Sequence, residues 1–311
     1  MSQKPSFLLM GTPELAKDVF EAIIEAGYLV KGIVCQPDKP MGRHHQLEKP
    51  PTKILAERYG IPVFQPSKIR LDPGPLLDVE VDYMLTLAYG QIVPQVVLDL
   101  PKKGAYNLHG SLLPKLRGAS PLRYCLVENM KETGVTLMNM VLAMDAGDML
   151  ASASLPILND DTYSTLLHRF TELTKTFILE HLPLLLEGRL TSTPQNEADV
   201  TYAPLIKKEQ EHLPLAAPYD TFLGWVRALS DEPGGYLLLE GKKIKLFHVS
   251  VHALVHSSPL GTIVSLDKEG LVFQGFDALY KVQSVQIEGK NRQSIHDIAN
   301  GYRRWVGLTF S

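Results

Sequence analysis

Residues 6–35 read SFLLMGTPELAKDVFEAIIEAGYLVKGIVC, and their alternation of apolar run, turn and helical spacing sets the fold class. Residues 6–10 are a short apolar run that stops at Gly11. Over residues 14–26, Leu15, Val19, Ile23 and Ala26 recur at helical spacing, and Gly27 supplies a C-terminal stop. Residues 30–35 are apolar again and short enough for a strand. The same alternation continues downstream. Residues 54–59 form the core of a helix, and 62–64, 81–87, 105–108 and 134–140 are strand candidates, with a helix near 120–128 between the last two. Strand, turn and helix in this rhythm predict an α/β domain with a Rossmann-like, mostly parallel sheet covered by helices. In such sheets, sites gather where strands end and loops begin.

Residues 161–186 read as one long helix despite Pro183 near its end, and Gly188 closes it. The polar, proline-containing stretch TSTPQNEADVTYAP (191–204) then reads as a linker. Beyond Lys207 the character changes. A helix at 219–229 precedes short strands at 236–239, 244–249, 262–266, 271–273 and 280–287, punctuated by Gly241, Gly261, Gly270 and Gly289. That pattern predicts a C-terminal OB-like β-barrel domain. The expected division is residues 1–189 for the α/β domain, 190–206 for the linker and 207–311 for the barrel.

Composition narrows the class. At 45% hydrophobic residues the chain can build proper cores, which excludes a disordered protein. A net charge of -3 does not announce a nucleic-acid binder, so a phosphate backbone would have to be held by a local basic patch. Cys35 and Cys125 make neither a metal spacing nor a disulfide framework. No apolar run approaches the roughly 20 residues that span a bilayer. MSQKPSFLLMGTPE, at the start, lacks the apolar stretch and cleavage site of a signal peptide. The expected setting is cytoplasmic, with no membrane partner.

The residues that carry chemistry lie in NLHGSLLPKLRGASP, 107–121. Asn107 and His109 stand two apart at the end of a strand, so both side chains project to one side. Glycine and proline then turn the chain into a loop over them. Asp145, in the glycine-containing MDAGD (144–148), adds a carboxylate after another strand. An amide, an imidazole and a carboxylate from separate strand ends can move protons and stabilise an oxyanion. Alone, His109 reads as a core histidine satisfied by hydrogen bonds, and Asp145 as a turn residue. Their combination with Asn107 is what favours chemistry. Gly11-Thr12-Pro13 reads equally as a substrate contact or as a strand-to-helix turn in which Thr12 or Pro13 starts the helix. His44 and His45 lack a third ligand at metal spacing.

NLHGSLLPKLRGASP resembles the signature of the formyltransferases that use 10-formyltetrahydrofolate, and MDAGDML (144–150) resembles their aspartate loop. FLLMGTPELA (7–16), QPDKPMGR (36–43), LTLAYGQIVP (85–94) and DVTYAPLIKKEQ (199–210) extend the resemblance, to the branch acting on charged tRNA, over nearly the whole chain. It implies that Asn107, His109 and Asp145 are catalytic: Asn107 donates to the developing oxyanion, His109 handles protons, and Asp145 orients His109 and favours its protonated form. It implies a folate slot lined by Leu87, Ala88, Tyr89, Gly90, Gln91 and Ile92, by Ser111, Leu112, Leu113 and Pro114, and by Met140, Val141 and Met144. The implied cosubstrate is 10-formyltetrahydrofolate, with no metal. The implied acceptor is the free amino group of methionine on initiator methionyl-tRNA, met by Lys39, Arg43, Lys49 and Lys53, by a monomeric enzyme.

Two segments depart from the family pattern. GRHHQLEKPP (42–51) carries His44, His45 and Glu48 where lysines are usual. LSDEPGGY (229–236) replaces an aromatic, proline-containing motif close to FNPWPGA. From Lys207 onward, 12 Lys/Arg stand against 11 Asp/Glu, so this half is not plainly basic. The alternatives kept open are a nucleotide-linked amino sugar as acceptor, hydrolysis of 10-formyltetrahydrofolate with water as acceptor, and a folate- or RNA-binding protein without catalysis.

Overall fold

A computed structural model of the chain describes residues 4–41, 46–255 and 257–311. In chain order the first elements are β1 (Ser6–Gly11), α1 (Glu14–Glu25), β2 (Leu29–Val34), β3 (Lys39–Met41), β4 (Gln46–Glu48), α2 (Pro51–Tyr59) and β5 (Val63–Phe64). They are followed by β6 (Tyr83–Leu87), α3 (Gln95–Leu98), β7 (Gly104–His109), α4 (Pro121–Val127), β8 (Glu132–Asn139), β9 (Met149–Pro156) and α5 (Tyr163–Leu186). The chain divides into two compact units. One holds residues up to 121 with 132–156 and 167–204; the other holds 122–131, 157–166 and 205–311.

The first unit is built on a seven-stranded sheet in the order β5-β2-β1-β6-β7-β8-β9. The strands from β5 to β7 are parallel, whereas β8 and β9 join antiparallel. β1 is buried along its whole length, as a strand covered on both faces must be. Behind it α1 buries Ala16, Val19, Phe20 and Ile23. The stripe thus falls on Ala16 and Phe20 rather than on Leu15 and Ala26. Gly11 explains the close docking, because a Cβ there would lie 2.6 Å from the Cβ of Ala16 and 2.5 Å from the carbonyl oxygen of Leu87. Leu8, Met10, Val34, Met84, Tyr89 and Val97 form one shared core.

The order fixes where a site can form. From β1 the chain steps outward through β2 to β5, then returns to place β6 on the other side of β1. A crevice opens at such a reversal, beyond the carboxyl ends of the strands. Thr12 clips this place together: its hydroxyl donates to the Tyr89 carbonyl at 2.9 Å and accepts from the Gln36 backbone N–H at 3.2 Å. It does not cap α1, whose N-cap is Pro13.

The second unit contains α6 (Tyr219–Leu229), β10 (Tyr236–Leu239), β11 (Lys242–Ala253), β12 (Ile263–Asp267), β13 (Gly270–Gln274), β14 (Leu279–Ile287), β15 (Gln293–Ser294) and α7 (Ile295–Ile298). Its sheet runs β10-β11-β14-β13-β12, antiparallel throughout, with β15 also on β14. Phe222, Leu246, Phe273, Tyr280 and Trp305 fill the core, and the Phe222 and Tyr280 rings stack at 4.5 Å. Residues 122–131 belong to this unit through α6. A Cβ on Gly224 would sit 2.8 Å from the carbonyl oxygens of Leu126 and Val127, and Arg227 donates to the Asn129 side chain at 2.6 Å.

Among the described residues no helix is long and apolar enough to cross a membrane. Neither Cys35 nor Cys125 is in a disulfide, and both are fully buried. Burial pushes the Cys35 thiol up to about 11, so at pH 8 only about one molecule in a thousand carries its thiolate there. We expect the native protein to show no fast-reacting thiol towards a disulfide reagent at pH 8, and two thiols after unfolding in guanidinium. One equivalent released in seconds from native protein would contradict this.

Candidate active site

β7 delivers two of the expected catalytic residues. Its register places Asn107 opposite Thr86 of β6 and Met138 of β8, and His109 opposite Thr136. The period of two puts both side chains on one face of the sheet. Asp145 arrives from the loop after β8 with φ of 53°, a left-handed conformation that suits Asp better than most residues. The three side chains meet. The Asn107 amide points at one Asp145 carboxylate oxygen at 3.5 Å, and the His109 Nδ1 lies 3.6 Å from the other. The second carboxylate oxygen also accepts from the Gly118 backbone N–H at 2.8 Å.

His109 is 5% exposed, so each of its ring nitrogens needs a partner of definite kind. Nε2 lies 2.9 Å from the Leu116 carbonyl oxygen, which can only accept. That contact assigns the ring hydrogen of neutral His109 to Nε2 and leaves a lone pair on Nδ1. A proton taken up at Nδ1 would then face the Asp145 carboxylate. The arrangement suits reversible proton uptake beside an amide donor.

The loop after β6 divides its residues between core and surface. Leu87 and Tyr89 bury their side chains, while Ala88 and Gly90 are exposed with φ of 49° and 89°. Tyr89 therefore offers a ligand only its backbone, and its carbonyl is already held by Thr12 and Gln36. Gln91 ties the loop to its neighbour, accepting from the Ile69 N–H at 2.9 Å and donating to the Pro66 carbonyl at 3.0 Å. Ile92 is exposed, as are Val141 and Met144 after β8, while Met140 packs partly into the core. In the loop after β7, Leu113 and Ser111 are buried, Leu112 and Pro114 half-buried, and the Ser111 hydroxyl donates to the Lys115 carbonyl at 2.6 Å.

The basic residues expected to meet a phosphate backbone are placed less freely than the sequence suggested. Arg43 lies outside the described residues, with His44 and His45. Lys39 is exposed on β3. Lys49 pairs with Glu57 at 2.8 Å and Lys53 with Asp38 at 2.7 Å. Hydrogen bonds from Gln65 and Lys53 hold the Asp38 carboxyl below its usual range. Among the described residues no cluster of His, Cys, Asp and Glu could hold a metal ion.

What the sequence reading passed over is the stretch taken as a linker. Residues 192–203 run as a strap beside the site: Thr193 pairs with Met149 of β9 through two 2.9 Å backbone bonds, and Arg117 bridges to Tyr202. Gln195 hydrogen-bonds the loop that carries Asp145. The exposed, polar composition of the strap conceals this, because its contacts are made by backbone groups and polar side chains such as Gln195, Glu197 and Thr201.

The chain matches the family profile described as "Formyl transferase" over residues 3–182 and the profile "Formyl transferase, C-terminal domain" over 205–303. It is 40% identical over 301 residues to the methionyl-tRNA formyltransferase of Geobacillus thermodenitrificans, covering 95% of this chain and 94% of that one. It is 38% identical to that of Lactobacillus gasseri over 298 residues, 95% of each chain. The fold is shared with solved structures at low identity. An N-formyltransferase from Helicobacter canadensis, in complex with folinic acid and dTDP-3-aminofucose, matches at a TM-score of 0.68 and 16% identity over 90% of this chain and 99% of that one. HypX from Aquifex aeolicus, in complex with tetrahydrofolic acid, matches at 0.66 and 16% over 98% of this chain, which spans about half (48%) of HypX. Two family profiles covering both units, with relatives at this identity over nearly the full length, establish that the chain belongs to the formyltransferase family, among the methionyl-tRNA formyltransferases.

Proposed function

We propose that this protein transfers a formyl group from 10-formyltetrahydrofolate to the free amino group of methionine on initiator methionyl-tRNA. The observation that carries the reading is the meeting of Asn107, His109 and Asp145 at the carboxyl end of β7, in a chain of this family. In the proposed step the amine nitrogen attacks the formyl carbon and forms the new C–N bond. The carbonyl oxygen becomes an oxyanion, towards which Asn107 donates an N–H; one such donor contributes roughly 3 kcal/mol. The bond from the formyl carbon to the folate nitrogen then breaks. The proton lost by the amine passes through His109 Nδ1 to that nitrogen, and Asp145 balances the imidazolium while it lasts. Amide, imidazole and carboxylate together supply charge stabilisation and proton transfer, so the step calls for no metal.

The folate ring would be taken by the loops after β6 and β8, where Ile92, Val141 and Met144 expose apolar surface. Lys39, Arg43, Lys49 and Lys53 would meet tRNA phosphates, which give affinity and position rather than sequence information. In that event Lys49 exchanges Glu57, and Lys53 exchanges Asp38, for phosphate. We further propose a cytoplasmic monomer whose α/β domain spans 1–189, joined through 190–206 to a tRNA-binding domain at 207–311.

The test is formyl transfer from 10-formyltetrahydrofolate to charged initiator tRNA, with the folate product followed by absorbance and the formyl group by label. Labelled methionyl-tRNA, formed in proportion to folate consumed and suppressed by salt, is the expected result. Folate turnover without labelled tRNA would overturn the acceptor and leave a nucleotide amino sugar or water in its place.

A further inference from the structure

We infer that Gln195 is a positioning residue of the active site, acting on Asp145 through the backbone of the loop that carries it. The Gln195 amide nitrogen donates to two carbonyl oxygens of that loop, Asp145 O at 2.7 Å and Gly147 O at 2.8 Å. Its amide oxygen accepts from Arg117 Nε at 3.0 Å. The partners leave no choice of amide orientation, since two carbonyls require the NH2 group and a guanidinium requires the oxygen. All three bonds lie within one unit of the chain.

Arg117 is fixed in turn. It is 4% exposed, and its two terminal nitrogens fork onto the Glu197 carboxylate at 2.8 and 3.3 Å. That fork holds the Glu197 carboxyl below the usual range. The Arg117 backbone is held by the same strap, its N–H donating to the Thr201 carbonyl at 2.9 Å and its carbonyl accepting from Ala203 N–H at 2.7 Å. The next residue, Gly118, donates its N–H to the Asp145 carboxylate. Asp145 is therefore gripped twice by one assembly, at the carboxylate through Gly118 and at the backbone through Gln195. A non-glycine residue at φ of 53° needs such bracing, because its conformation is one that surroundings must impose. Strands β7 and β8 alone do not provide it: Asp145 lies six residues past the end of β8.

Asp145 stands 3.5 Å from the Asn107 amide, at the outer edge of hydrogen bonding, and 3.6 Å from His109 Nδ1, where it would face a proton taken up there. A drift of about 1 Å would uncouple it, and a displacement of that size costs about a hundredfold in rate.

This inference rests on the reading that Asp145 is catalytic, so the experiment compares Gln195→Ala, Gln195→Met and Asp145→Asn with the wild type in the formyl-transfer assay. Methionine fills the glutamine volume without an amide. The expected result is a fall in kcat of about 10- to 100-fold in both Gln195 variants. KM for folate and for tRNA should stay within about threefold, and the thermal midpoint within about 2 °C, of the wild type. If Gln195→Ala does not fold, Gln195→Asn, whose amide is one methylene short of both carbonyls, carries the same expectation. Full kcat in Gln195→Met would show that the site needs only the volume, and full kcat in both would show that the strap is not coupled to the site; either overturns the inference while Asp145→Asn stays impaired. An unimpaired Asp145→Asn would instead remove the catalytic reading on which it rests.

Discussion

Asp145→Asn is expected to lower kcat for formyl transfer about a thousandfold and to leave the fold and folate binding in place. Asparagine is the informative replacement because it tolerates the left-handed φ of 53° and keeps an oxygen for the Gly118 N–H. What it removes is the negative charge. His109 Nδ1 lies 3.6 Å from the carboxylate, and both side chains are largely buried. At an effective dielectric of about 20, unit charges at that distance attract by roughly 4–5 kcal/mol. This is felt only while Nδ1 holds the proton in transit, so it stabilises the transition state more than the ground state. Each 1.4 kcal/mol is about tenfold in rate, so the loss is about three orders of magnitude. The check is single-turnover formyl transfer beside a thermal melt and a folate-binding titration. A rate within tenfold of wild type, in a protein that melts and binds normally, would sink the proposed role of Asp145.

Much of this site was legible in the sequence because strand periodicity is strict. Two polar residues two apart at the end of an apolar run, Asn107 and His109, had to share a face, and they do. The first β-α-β unit was equally plain: residues 6–10, 14–26 and 30–35 were expected, and Ser6–Gly11, Glu14–Glu25 and Leu29–Val34 are found. β9 was missed for a physical reason. Its sequence, MLASASLP, alternates half-buried with exposed residues at the edge of the sheet, and its small alanines and serines give only a weak apolar signal. The hairpin of β3 and β4, and the turn made by β15 and α7, are short and polar, and escape for the same reason. Nor could a local pattern show that β8 runs antiparallel, since direction is decided by pairing with β7. The position of Asp145 was the least accessible feature. It depends on Gly118, 27 residues away, and on Gln195, 50 residues away. Polarity and proline in TSTPQNEADVTYAP are compatible with a loose tether and with a strap alike, and only the contacts separate them.

Gly147→Ala is the second large effect to expect, and it tests whether the Asp145 loop must be held at one height. The residue is buried, and a Cβ there would lie 1.9 Å from the Asn139 carbonyl oxygen and 2.9 Å from its carbon. These are backbone atoms at the end of β8, so no side chain can swing aside to make room. The loop is closed just there, by the Asn139 N–H donating to the Asp148 carbonyl at 2.9 Å and by Gln195 holding the Gly147 carbonyl. The backbone must shift, and overpacking of this kind costs typically 1–3 kcal/mol or more, which lowers the midpoint of a unit this size by about 5 °C. Asp145, two residues upstream, moves with the loop, and kcat should fall about a hundredfold. Gly301→Ala supplies the comparison, because nothing lies within 4 Å of the Cβ it would add; it should leave both quantities unchanged. The two effects of Gly147→Ala are separable. A lower midpoint with kcat intact would mean that the loop can move without moving Asp145, so the grip of Gly118 on the carboxylate would be sufficient by itself. Normal melting and normal kcat together would mean that the close approach of Gly147 to Asn139 is not a constraint in solution and that this loop is not rigidly placed.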